Sequence, residues 1–145
     1  MYFVGTFDYA MDERGRLPLP PRYRDAFRDG IVLSQGSPDR CVRISTEFEF
    51  DRHASDYTAE SPVHRKGRTL RRVLFARTHK AELDKQNRVL VPASLREYAG
   101  LTGKVLVVGA GEYLEVWAPD EYEAEMSLVD AQLESTLESI ETRQR

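Results

Sequence analysis

A nine-residue stretch occurs twice in this chain, and the repetition limits the available folds more than any other feature. Asp12-Glu13-Arg14-Gly15-Arg16-Leu17-Pro18-Leu19-Pro20 is followed 72 residues later by Asp84-Lys85-Gln86-Asn87-Arg88-Val89-Leu90-Val91-Pro92. Asp12 matches Asp84, Arg16 matches Arg88 and Pro20 matches Pro92, and four residues further on Arg24 matches Arg96. The apolar positions keep the same offset: Met11 with Leu83, Leu17 with Val89, Leu19 with Val91, Tyr23 with Leu95. Two copies are too few for a solenoid, in which each repeat stacks on its neighbours. They suit a pseudo-two-fold arrangement in which each half completes the other. At 145 residues, each half has about 50 and is marginal for burying enough surface alone, so intertwined halves are expected.

The motif itself predicts a turn. An Asp and an Arg four apart also fit a helical ion pair, but the flanking residues refuse a helix. Gly15 and Asn87 are residue types that tolerate positive φ, and Leu17/Leu19 and Val89/Val91 alternate with period two. Three residues between Asp and Arg, the third able to go left-handed, match a hairpin tip built on a type I turn with a bulge. The Asp side chain would accept the turn's N–H groups. Pro18 predicts an edge or bulge position, since it has no N–H to donate.

The flanking chain repeats as well. Tyr2–Met11 is rich in aromatic and β-branched residues and reads as strand, with a possible bulge at Gly5. After each tip a proline opens a short helix, roughly Pro21–Phe27 and Pro92–Ala99, with Gly30 and Gly100 placed as C-terminal caps. Two strands follow in each half: Ile31–Ser34 and Cys41–Ile44, then Lys104–Gly109 and Tyr113–Trp117. Between the halves, Thr46-Glu47-Phe48-Glu49 spells a capping box that opens a helix to about Tyr57. Ser61–Arg77 begins as a loop and becomes either a basic helix or a strand lead-in. Pro119-Asp120-Glu121 starts a last helix whose apolar residues Tyr122, Met126, Val129, Leu133, Leu137 and Ile140 form a near-heptad seam. That seam fits packing on its own domain or against another subunit. The expected class is α+β, mainly β, with segments 1–50 and 78–119 as the two halves, 51–77 linking them and 120–145 a terminal helix.

Charge is unevenly spread. The net charge is −3, yet residues 112–145 hold ten acids and two bases, leaving 1–111 at +5. Ser61–Ala81 contains seven bases (Arg65, Lys66, Arg68, Arg71, Arg72, Arg77 and Lys80) and no acid. Such a surface is a solvated face or a site for an anionic polymer. The single cysteine, Cys41, excludes an internal disulfide and a Cys-rich metal site. No apolar run approaches the roughly 18 residues of a membrane span, and Met1-Tyr2-Phe3-Val4-Gly5 lacks the features of a signal peptide. A cytoplasmic protein without a membrane partner is expected.

Enzymatic readings are weak. His53, His64 and His79 have no second ligand at metal-binding spacing. Cys41 lies in an apolar strand, where a thiol is commonly buried and inert. Asp12 and Asp84 resemble a catalytic carboxylate pair only if freed from their arginines. Gly109-Ala110-Gly111 lacks the third glycine and the following helix of a nucleotide loop. Neither a metal, a cofactor nor a small-molecule substrate is expected. The tips are more informative, because they carry Arg14 and Arg16 in one half and Lys85 and Arg88 in the other. A two-stranded ribbon fits a major groove, and Arg can fork to guanine or to phosphate. Equally, Arg16 and Arg88 can turn inward and hold Asp12 and Asp84.

The ordered set of Gly5, Asp12-x-x-Gly15-Arg16-Leu17-x-Leu19-Pro20-x-x-Tyr23-Arg24, Cys41-Val42-Arg43-Ile44, Asp84-x-x-x-Arg88-Val89-x-Val91-Pro92-x-x-Leu95-Arg96, Val108-Gly109 and Leu114-Glu115-Val116-Trp117 resembles the MraZ family over nearly the whole chain. Asn87 stands where that family usually has glycine. The resemblance implies two SpoVT/AbrB-like swapped-hairpin halves forming a barrel. It implies a ring-shaped homo-oligomer that binds repeated promoter boxes in double-stranded DNA. The function implied is a nucleoid-associated bacterial transcriptional regulator, of repressor type, acting on the division and cell-wall gene cluster. By position, the family's DNA-contacting arginines fall on Arg16 and Arg88, with Asp12 and Asp84 completing the motifs and Gly15 and Asn87 shaping the turns. Arg14 and Lys85 are the adjoining candidates. The alternative from another class is a protein-interaction module of antitoxin or enzyme-sequestering type, because this fold serves in antitoxins too.

Overall fold

A computed structural model describes residues 1–144. Its strands are β1 (Thr6–Ala10), β2 (Arg16–Pro18), β3 (Ile31–Gln35), β4 (Val42–Ser45), β5 (His79–Ala81), β6 (Arg88–Leu90), β7 (Lys104–Gly109) and β8 (Leu114–Trp117). The helices are α1 (Glu47–Thr58), α2 (Arg65–Phe75), α3 (Ala93–Ala99) and α4 (Pro119–Gln144), with a 3-10 helix over Pro21–Phe27. The fold class is α+β, and every strand pairing is antiparallel.

Six strands form one sheet in the order β1-β7-β8-β4-β3-β5, and β2 pairs with β6 in a separate ribbon. The two halves are therefore interleaved. β1 of the first half pairs with β7 of the second, Phe7 opposite Val107. The arms flanking each motif do not pair with each other along their length. Instead β2 lies against β6, with Arg16 opposite Leu90, Leu17 opposite Val89 and Pro18 opposite Arg88. Local turn chemistry closes each tip, but the ladder partner comes from the other half.

Period-two alternation decides which side chains go inside. Ile31, Leu33, Val42, Ile44, Val105, Val107, Leu114 and Val116 all turn to one face of the sheet and join the main core. The ribbon covers that face with Leu17, Leu19, Val89 and Val91, each fully buried, and the short helices add Tyr23, Phe27, Leu95 and Ala99. Burying one such side chain contributes about 1.5–3 kcal/mol. A one-residue register slip in any of these strands would turn its apolar set outward.

The sheet's other face carries two smaller clusters. Val32 packs with Phe50 and Ala54 of α1 and Leu74 of α2. Cys41, Val108 and Trp117 pack with Leu106 and with Tyr122 of α4. α1 starts where its capping box predicts, the Thr46 Oγ1 accepting the Glu49 N–H at 3.2 Å. The basic stretch 65–75 is helix: Gly67, Leu70 and Leu74 recur at helical spacing, with Leu74 buried against Phe50 and Ala54 of α1 and Gly67 against the backbone of Glu60 and Ser61. α3 ends at Gly100 in the left-handed region, φ +65°, as its C-cap requires.

Candidate nucleic-acid interface

Each motif folds into the same closed turn. The Asp12 N–H donates to the Arg16 carbonyl at 3.1 Å, and the Gly15 N–H donates to the Asp12 carbonyl at 3.0 Å. In the second copy, Asp84 and Asn87 make the matching bonds at 2.9 and 3.0 Å. Gly15 has φ +86° and Asn87 φ +58°, the left-handed third position that this turn demands. At Gly15 the demand is also steric, since a Cβ there would lie 2.6 Å from a terminal nitrogen of Arg96. Arg96, three residues past the α3 start, thus braces the opposite half's tip.

The carboxylates organise the turns. Asp12 Oδ1 accepts the N–H groups of Arg14 and Arg16, both at 2.9 Å, while Oδ2 accepts Arg16 Nε–H at 2.7 Å. Asp84 Oδ1 accepts the N–H groups of Gln86 and Arg88 at 2.8 and 2.9 Å, and Oδ2 accepts Arg88 Nε–H at 3.2 Å. The backbone amide of the following arginine is the largest of the influences that hold each carboxyl below the usual aspartate value. The copies differ in one respect. Arg88 also reaches across with its Nη1 to Asp12 Oδ2 at 3.4 Å, so a single carboxylate touches both motif arginines. A further tie joins the tips, the Val91 N–H donating to the Gly15 carbonyl at 2.9 Å.

The inward reading of Arg16 and Arg88 and the ligand-facing one are therefore compatible. Both guanidinium groups are half-buried and held through Nε, which sets their orientation. Arg14 and Lys85 are exposed, and neither meets a carboxylate within 4 Å among the described residues. Alternation leaves Arg16, Pro18, Arg88 and Leu90 on the ribbon face opposite the buried Leu17 and Val89. Pro18 and Leu90 are themselves repeat equivalents, so both halves place one arginine and one apolar side chain on that outward face. Such a surface offers forked donors for anionic or base-edge acceptors, with apolar contact beside them.

Two arrangements lay outside the sequence reading. One is the Arg96 brace, for which the repeat of Arg24 and Arg96 was the available signal. The other is a polar cluster on the outer sheet face, where the Arg43 guanidinium lies 4.1 Å over the Tyr113 ring and its Nη1 is 3.1 Å from His53 Nε2. It borders an open cleft of about 460 Å³ that also carries Glu49, Arg52, Asp56 and Glu112. Burial, then the Arg43 charge, lowers the His53 pKa. No signal in the order of the residues joins positions 43, 53 and 113. Cys41 is buried, with its thiol 3.6 Å from Glu115 Oε2, and burial raises its pKa strongly. Among the described residues no three His, Cys, Asp or Glu side chains come together to hold a metal ion. No helix among them is long and apolar enough to cross a membrane.

An α+β chain with interleaved halves, presenting two equivalent Asp-x-x-x-Arg tips on one ribbon, defines a narrow class of pseudo-two-fold proteins. The family described as "MraZ protein, putative antitoxin-like" matches residues 74–142. A relative from Dehalococcoides mccartyi is 35% identical over 96% of this chain and 98% of its own. Another from Thermomicrobium roseum is 36% identical over 97% and 98%, and one from Salinispora arenicola is 38% identical over 79% and 80%. All three are named Transcriptional regulator MraZ. The chain belongs to the MraZ family.

Proposed function

We propose that this protein is a sequence-specific DNA-binding transcriptional regulator, in keeping with the names of its relatives. The observation that carries the reading is the ribbon β2–β6. It brings two copies of one cationic tip side by side on a rigid, core-backed support. A two-stranded ribbon is among the elements that enter a major groove. Arg16 and Arg88, steered by Asp12 and Asp84, read base edges or clamp phosphate, and the exposed Arg14 and Lys85 add phosphate contacts. Gly15 and Asn87 keep the tips sharp enough to enter.

In its finer form, the reading makes the protein a repressor of the bacterial division and cell-wall gene cluster, acting at the nucleoid in the cytoplasm without a cofactor. Segments 1–50 and 78–119 form the two DNA-reading halves, joined by 51–77 and followed by the helix from 120 onward. Several copies form a ring that sets many tips against repeated boxes in double-stranded promoter DNA. Individually weak contacts then add through effective concentration.

The test is affinity for DNA from upstream of the protein's own gene against scrambled DNA, across a salt series. A steep salt slope with a large ratio between the two supports the reading. Arg16→Ala with Arg88→Ala should collapse the ratio, each lost base fork costing about 1–3 kcal/mol of discrimination. Arg14→Ala or Lys85→Ala should weaken both DNAs alike and reduce the salt slope by about one. Unchanged discrimination in the double variant would return both arginines to a purely turn-holding role.

A further inference from the structure

The two tips are repeats in sequence but not in surroundings. Over the first lies Arg96 of α3. A Cβ at Gly15 would stand 2.6 Å from its Nη1, 2.7 Å from its Cζ and 2.8 Å from its Nε, so the guanidinium fits only against a bare glycine. Gly15 is buried beneath it, whereas Asn87, the equivalent residue of the second tip, is partly exposed. The repeat partner of Arg96 is Arg24, and a guanidinium laid over Asn87 in the same way would overlap that residue's Cβ. Arg24 is turned elsewhere, its Nε–H donating to the Leu19 carbonyl at 3.2 Å. Glycine at one tip and asparagine at the other thus decide that one tip has an arginine at its flank and the other has none.

Arg96 is also left without a partner. No carboxylate lies within 4 Å of its guanidinium among the described residues, although Glu97 is next to it in sequence. Its Nε is buried and makes no hydrogen bond, while the terminal nitrogens, equally unbonded, are not buried. The side chain borders an open cleft of about 290 Å³ that Ala93, Gly100, Leu101 and Thr102 help to line. A guanidinium held half out of water with no counter-charge is costly. An anion arriving from outside removes that cost with charge-assisted hydrogen bonds.

The motif arginines are unequal too. Arg88 uses Nε on Asp84 at 3.2 Å and Nη1 on Asp12 at 3.4 Å, while Arg16 uses only Nε, on Asp12 at 2.7 Å. Arg16 keeps both terminal nitrogens for a forked contact, and Arg88 keeps one. Each strand of a duplex carries a phosphate about every 3.4 Å along the axis, so a tip whose arginine reaches a base edge has phosphates at its flanks. The Arg96 guanidinium occupies such a flank, against the residue that separates Arg14 from Arg16.

We propose that Arg96 donates through its terminal nitrogens to a DNA backbone phosphate beside the Asp12–Arg16 tip, a contact that the Asp84–Arg88 tip lacks. The two tips then hold a duplex unequally, the first more tightly. The inference rests on the DNA-reading function proposed above and adds to it a residue outside the repeated motif.

The experiment measures affinity of the full chain for DNA from upstream of its own gene and for scrambled DNA, across a salt series. Wild type is compared with Arg96→Met, Arg96→Lys and Arg24→Met. Methionine keeps the aliphatic packing and removes the charge. Arg96→Met should weaken both DNAs by about three- to tenfold and make the salt slope shallower by about one for each chain engaged. Arg96→Lys should keep the wild-type slope, because lysine serves a phosphate as a point charge. Arg24→Met should keep it as well. An unchanged slope in Arg96→Met, with stability in urea lowered, overturns the proposal and leaves Arg96 as a brace. A slope that falls as far in Arg24→Met or in Arg96→Lys overturns it too. If urea denaturation shows that Arg96→Met does not fold, Arg96→Gln takes its place under the same criteria. A wild-type chain that fails to distinguish its own upstream DNA from scrambled DNA overturns the DNA-reading function itself, a result independent of every variant.

Discussion

Asp12 and Asp84 each accept two turn amides and the side chain of their own motif arginine, and those bonds are strongest while the carboxylates are ionised. Their native pKa values lie below the ordinary aspartate value of 3.8. The stability they confer is therefore fully present above that value and is lost as pH falls through the lower native one. Carboxyl titration followed by NMR should place both midpoints below the ordinary aspartate value, and Asp12→Asn should flatten the acid limb of the stability curve. Gly15→Ala should destabilise the protein by about 1–3 kcal/mol in urea denaturation, from left-handed strain alone. Displacement of Arg96 adds to that loss. The Cys41 thiol is buried and its pKa is raised, so thiol reagents should label it only on unfolding.

The ribbon's two faces should respond differently to truncation. Leu17→Ala removes a fully buried side chain and should cost about 2–5 kcal/mol, whereas Leu90→Ala, on the outward face, should stay within about 0.5 kcal/mol. Equal losses at both positions in chemical denaturation would contradict the assigned register. α1 depends on its cap, so Thr46→Ala should cost about 1 kcal/mol. Much of this was legible in the residue order. The turn, the α1 cap, the strand alternation and the left-handed Gly100 all follow from neighbours within four residues of one another. The character of 65–75 was not, because its helix is settled by what Gly67 and Leu74 pack against, not by its own charge pattern.

Interleaving makes the whole molecule one cooperative unit. β1 needs β7, β2 needs β6, and the main core draws residues from both halves. A fragment covering 1–77 should therefore lack hydrogen-exchange protection in β1 and β2, while the intact chain should unfold in a single transition by circular dichroism and Trp117 fluorescence. A first half that folded alone would mean its arms pair locally. Pairings of such long sequence separation also predict slower folding than the helices alone would set. At this scale the duplicated motif foretold that the halves belong together but not which strand would meet which.

The sequence by itself determined the repeat, the chemistry of each tip and the alternation that divides buried from exposed faces. These depend on interactions between near neighbours, which the covalent order holds close whatever the rest of the chain does. Only the tertiary structure decided that the strands after the two tips pair with each other, that Arg88 shares Asp12 with Arg16, and that Arg96 braces Gly15. It also brought Arg43, His53 and Tyr113 together. Those contacts join residues 70 to 81 positions apart, save for the Arg43–His53 contact. Their partners are selected by the packing of one shared core, and packing is a property of the assembled whole.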